Sequence, residues 1–134
     1  KSVLGVNIAT KAACKYNIPS AIFSMEMSFI EITLRILAAE ARVPLNVLRS
    51  GRLSDDDWAK LARRMGEISG APLYIDESVD MTMLEITAKS RRLVQKHGVK
   101  LIVVDYLQLI NTPGRQENRQ LAVTALSRGF KVLA

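Results

Sequence analysis

With 134 residues, 49% of them hydrophobic and 24% charged, the chain is long and apolar enough to bury one sizeable core, which excludes a disordered segment. Nineteen Lys and Arg against 13 Asp and Glu leave a formal charge of +6, a modest basic excess that favours anionic partners such as nucleic acid and nucleotides. A single cysteine, Cys14, excludes an internal disulfide and a cysteine-rich zinc cluster; no apolar run is long enough for a membrane span, so a cytoplasmic domain without a membrane partner is expected.

Val3 to Tyr16 places apolar or small side chains at Leu4, Ile8, Ala12 and Ala13 with Lys11 and Lys15 elsewhere, a spacing that predicts a helix. Pro19 ends it, because proline disfavours helix at the residue before it. "SAIFSM" reads as a short strand apolar on both faces. Ser28 with Glu31 is a capping-box pattern opening a helix with Ile30, Leu34, Leu37, Ala38 and Ala41 along one stripe. "VPLNVLRSG" predicts a short helix closed by Gly51, and Ser54 caps "DDDWAKLARRMGEI", whose early aspartates suit the positive end of a helix dipole.

"APLYID" is the second strand candidate. Thr82 and Glu85 repeat the capping box and start a helix that runs to about His97, with Gly98 as its stop. "KLIVVDYLQLI" is the third strand, "NTPGRQENRQ" a polar loop, and "LAVTALSRGFKVLA" the start of a helix cut by the chain end. Trp58 is expected to anchor its helix to the core, and the five methionines to fill core gaps or helix entries. Strands alternating with helices predict an α/β fold with a mostly parallel sheet flanked by helices. No internal repeat, low-complexity tract or linker divides residues 1–134, so one domain, truncated at both ends, is expected.

Three places can carry chemistry. "LIVVDY" is a hydrophobic strand that delivers Asp105 at its C-terminal end, where open α/β sheets bind ligands. A carboxylate there can hold magnesium through its water shell, as a Walker B aspartate does; capping the following turn is the alternative. Glu26 in "FSMEM" falls at the end of the first strand, where it can polarise an attacking water or simply favour the entry of the next helix. Lys1-Ser2, running at once into helix-patterned sequence, fits the tail of a phosphate-binding loop, in which the lysine reaches the β/γ-phosphates and the hydroxyl ligates magnesium.

Taken together, "IFSMEM", "LRILAAEARV", "RSGRLSDDDWAKLARRM", "LYIDES", "LIVVDYLQLI" and "ENRQ" with "SRGFKVLA" resemble, in order, the RecA-like P-loop NTPase motor domain of the bacterial replicative DNA helicases, the DnaB family. The resemblance implies ATP and Mg2+ as cofactors, with Glu26 activating water, Asp105 and Ser2 on magnesium (Asp105 through water), and Lys1 on phosphate. It further implies that Arg35 lies near the nucleotide base. Arg115 and Arg119 flank the polar loop after the Walker B strand, where RecA-like proteins approach DNA; they can contact phosphate there, or simply be the charges of an exposed loop. The implied partners are single-stranded DNA, further copies of the chain in a homo-hexamer, primase and a helicase loader. "AVTALSRGF" departs from the family's usual pattern, and Gly129 costs its helix about 1 kcal/mol relative to alanine.

Two other functions share parts of these features. A strand-exchange or regulatory RecA-like ATPase would carry both carboxylates but has no reason to carry "SDDDWAKLARRM" with "DYLQLI". A non-catalytic basic fragment would bind nucleic acid in a salt-dependent way. Because one lysine does not replace a set of oriented backbone amides, residues 1–134 alone are expected neither to hydrolyse ATP nor to unwind DNA.

Overall fold

The computed structural model describes residues 2–111 and 119–134. Three parallel strands, β1 (Ser20–Ser24), β2 (Leu73–Asp76) and β3 (Leu101–Asp105), form one sheet in the order β2-β1-β3. The register pairs Ser20 with Leu73 and Leu101, and Ser24 with Asp105. β1 is therefore central and buried at all five positions, whereas every residue of the two flanking strands is only half-buried. The continuous apolar run of β3 follows the pattern of a strand covered on both faces.

Among the described residues the helices are α1 (Ser2–Tyr16), α2 (Phe29–Ala41), α3 (Leu45–Ser50), α4 (Asp55–Ser69), α5 (Met83–His97) and α6 (Arg119–Leu133), with α1 and α2 on one face of the sheet and α5 and α6 on the other. On one face Val6, Ala9, Ile32 and Ile36 of α1 and α2 close over Ile22. On the other, Ile86 and Leu126 of α5 and α6 pack with Met81 and Ile110 against Phe23 and Met25. A smaller cluster, Ala41, Val43 and Leu61, ties α2 to α4. Burying a Phe23- or Ile22-sized side chain contributes about 1.5–3 kcal/mol, so the alternation along β1 fastens both layers to one strand.

Local signals explain most boundaries. Ser54 with Asp57 and Thr82 with Glu85 form complete reciprocal capping boxes, and Gly51 and Gly98 close α3 and α5 in the left-handed conformation. At α2 only half of the box forms: Ser28 accepts from the Glu31 N–H, while the Glu31 carboxylate turns to Arg49 at 3.4 Å.

Several sequence expectations are corrected. The buried face of α1 is Val6, Ala9, Thr10 and Ala13, and Leu4, expected inside, is 67% exposed. In α2 the core residues are Ile32, Ile36, Ala38 and Ala41, with Ile30 exposed. Both helices are apolar on more than one side, so periodicity alone does not choose the inward face. Trp58 is 58% exposed and Met65 is exposed with it; only Leu61 of α4 is buried, because α4 lies over α2 and not on the sheet. The third strand ends at Asp105 and gives way to a 3-10 turn at Leu107–Leu109, and α6 begins at Arg119, inside the segment read as loop. α6 runs unbroken through Gly129, which lies against Met83 of α5: a Cβ there would meet Met83 at 3.3 Å.

Candidate active site

Because all three strands are parallel, their C-terminal ends share one edge of the sheet, and each end delivers an acid: Glu26 just beyond β1, Asp76 and Glu77 at β2, Asp105 at β3. Ser24 and Asp105 are register partners, and the Met25 N–H donates to the Asp105 carbonyl at 3.0 Å. The β1 turn that carries Glu26 is thus tied directly to the residue that carries the β3 carboxylate. Glu26 itself is exposed.

Asp105 and Ser2 line one cavity of about 290 Å³, together with Gly5, Val103, Val104, Tyr106, Leu107 and Gln108. The Asp105–Tyr106 peptide in its wall is cis. What brings these two residues together is the close approach of α1 to β3. A Cβ on Gly5 would lie 2.9 Å from Val103 Cγ1, so only glycine lets the first turn of α1 sit this near the strand. The first turn of α1 contains no acidic residue, so no side-chain charge in that turn opposes an anion at the positive end of the helix dipole.

The donor set fits a phosphate-bound magnesium ion. A hydroxyl and a carboxylate are hard oxygen ligands, and magnesium takes only one or two protein ligands, filling its shell with water and phosphate oxygens. Among the described residues no group of three or more His, Cys, Asp or Glu is arranged to hold a metal by itself, which is what a dedicated all-protein cage would need. A volume of about 290 Å³ suits the phosphate end of a nucleotide; whole small-molecule sites run to about 300–1,000 Å³.

The other sequence candidates separate, and Glu26 is not among the residues lining this cavity. Arg35, midway along α2, does not line this cavity; its Nε is buried and has no hydrogen-bond acceptor among the described residues. Lys1 and Arg115 lie outside the described residues; Arg119 opens α6, and its side chain is likewise not described. His97, at the end of α5, stacks on Tyr74 with ring centroids 4.5 Å apart. Burial, and then the charges of Glu40 and Glu67, push the Cys14 thiol up, so the chain's lone cysteine is a poor nucleophile.

Sequence reading passed over two features of this edge. The Lys89 ammonium bridges the Asp76 carboxylate at 2.6 Å and the Ser78 hydroxyl at 2.8 Å, closing the end of β2 onto α5. Glu77 reaches back to the start of α2 and accepts from the Phe29 N–H at 2.5 Å. The "DES" triplet was the available signal, but the partners lie 13 and 48 residues away.

The family model for the DnaB-like helicase C-terminal domain matches residues 1–134, the whole chain. The chain belongs to that family. Among its curated relatives, the replicative DNA helicase DnaB of Mycobacterium leprae is 54% identical over 133 residues, covering 99% of this chain and 22% of the relative. That of Geobacillus stearothermophilus is 45% identical over 135 residues, covering all of this chain and 30% of the relative. The chain therefore spans less than a third of the length of these DnaB proteins. Among solved structures, a DnaB-like replicative helicase, described with its interactions with primase, superposes with a TM-score of 0.90 at 22% identity, over 98% of this chain and 32% of that one. A separately solved ATPase domain gives 0.91 at 23% identity, over 99% and 48%. These two likenesses establish the RecA-like α/β fold.

Proposed function

We propose that residues 1–134 are part of a single RecA-like motor domain of an ATP-driven replicative DNA helicase, and that the cavity between α1 and β3 receives the phosphates of Mg2+–ATP. The observation that carries this is the meeting of Ser2 and Asp105 in one cavity at the positive end of α1, with Glu26 on the adjoining strand end.

When bound, magnesium neutralises charge on the phosphate oxygens. Ser2 offers its hydroxyl to the metal, Asp105 holds the metal's water shell, and Lys1 pairs with the phosphates. Glu26 orients a water and takes its proton; its exposed place at the strand end leaves the carboxylate free to do so. Arg35 is assigned to the base side of the nucleotide, a role its unspent Nε supports. Arg115 and Arg119 are assigned to the DNA backbone. The same reading places the protein in the cytoplasm as a homo-hexamer on single-stranded DNA, with primase and a helicase loader as partners. No helix among the described residues is long and apolar enough to cross a membrane. The 134-residue chain alone is expected to be inactive.

The test is Glu26→Gln in the intact helicase carrying this domain. ATP turnover and unwinding should fall by about 10²–10⁴-fold, while ATP binding measured by fluorescence titration stays near wild type. Unwinding at the wild-type rate would remove Glu26 from the mechanism. Asp105→Asn should instead weaken binding in magnesium but not in its absence.

A further inference from the structure

We infer that Ser24 is a positioning residue for hydrolysis: its buried hydroxyl clamps the turn that presents Glu26 to the reacting phosphate. The inference rests on the reading of Glu26 given above.

Ser24 is the last residue of β1 and is 2% exposed. Its Oγ donates to the Met27 carbonyl at 2.8 Å and accepts from the Met27 N–H at 3.0 Å. One hydroxyl thus closes both polar groups of the residue three positions on, and Glu26 stands exposed within the loop so formed. Flanking side chains show what the clamp achieves. Met25 continues the strand alternation from Phe23 and is buried in the α5/α6 layer. Regular alternation would place Met27 on that layer too, but it packs against the opposite cluster of Val6, Ala9, Ile22, Ile32 and Ile36. The bend therefore carries the chain across the sheet edge, with Met25 buried in one layer, Met27 packed against the other and the exposed Glu26 between them in the chain. Met25 adds the third restraint through its N–H bond to the Asp105 carbonyl, 3.0 Å long. The glutamate is thereby registered against the strand end that bears the magnesium-side carboxylate of the proposed site.

A catalytic carboxylate displaced by an ångström loses rate without losing substrate affinity, so the clamp should show in kcat and not in KM. In the intact helicase, Ser24→Ala is expected to lower kcat for ATP hydrolysis about tenfold with KM for ATP near wild type. Ser24→Thr keeps the hydroxyl and should stay near the wild-type kcat, whereas the equally shaped Ser24→Val should match Ser24→Ala. If Ser24→Ala fails to fold, the Thr and Val pair decides alone. In single-turnover assays, adding Ser24→Ala to Glu26→Gln should cause no further loss, because the clamp acts only through the glutamate. A Val variant as fast as the Thr variant, or an equal further loss in the Glu26→Gln background, overturns the proposal. If Glu26→Gln abolishes turnover while Ser24→Val is fully active, only the clamp is wrong. If Glu26→Gln itself turns over normally, the reading of Glu26 fails and the clamp with it.

Discussion

At the scale of single residues, the cavity proposed as the phosphate site depends on a missing side chain as much as on those present. Gly5 has ordinary helical geometry, so glycine is used here for space and not for backbone freedom. Alanine would raise the intrinsic helix propensity of α1 by about 1 kcal/mol. It would also drive a methyl group to 2.9 Å from Val103, a stiff β-branched residue held in a strand. Overpacking of this kind costs about 1–3 kcal/mol. We therefore expect Gly5→Ala to be neutral to destabilising by up to about 2 kcal/mol in urea unfolding, and to reduce nucleotide affinity by shifting Ser2 away from Asp105. A second substitution, Val103→Ala, should recover the affinity. A Gly5→Ala protein that is more stable and binds ATP normally would show that the close approach is not required. The glycine was visible in the sequence, but its neighbour, Val103 on the far strand, was not.

At the scale of elements, the boundaries that sequence reading placed best are those set by local chemistry. The boxes at Ser54–Asp57 and Thr82–Glu85 and the glycine stops at 51 and 98 involve residues no more than a few positions apart, so their spacing is their structure. Thr82→Ala should cost about 1 kcal/mol by removing the hydroxyl that accepts from the Glu85 N–H, measured as a lowered urea midpoint at unchanged slope. Thr82→Ser should restore most of the loss. A midpoint unchanged by Thr82→Ala would mean that packing of Ile86 alone holds the start of α5. The faces of α1 and α2 and the exposure of Trp58 were not legible in the same way. Each is decided by which neighbour the helix meets, and a helix with apolar residues on several sides offers more than one answer.

At the scale of the molecule, stability responds to pH through a charged contact that joins β2 to α5 and through the carboxylates that cap α4 and α5. Burial pushes the Asp76 carboxyl up, but the Lys89 ammonium and the Ser78 O–H and N–H outweigh it, holding the group below its ordinary value of 3.8. Ser54 does the same for Asp57 and Thr82 for Glu85, through hydrogen bonds to the charged form. A carboxyl group lowered in the folded state contributes stability that is complete above its unfolded value and is lost as pH falls through the folded one. These groups start from ordinary values of 3.8 and 4.5, so the melting temperature should hold down to about pH 5 and then fall steadily toward about pH 3. Asp76→Asn should melt lower at neutral pH and lose less on acidification. An equal acid-induced drop in the variant would exclude Asp76 from the linkage.

By itself, the sequence determined the α/β class, the parallel order of elements, the helix caps and stops, and the placing of Glu26 and Asp105 at strand ends, because each follows from short local patterns or from their succession along the chain. Only the tertiary structure decided which helix faces are buried, that Ser2 and Asp105 share a cavity, that Lys89 and Glu77 close the β2 end, and that Ser24 holds the Glu26 turn across the two layers. The physical reason is range: caps and strand runs are satisfied by neighbours along the chain, whereas a binding site is made by contacts whose partners become neighbours only when the sheet and its helices have packed.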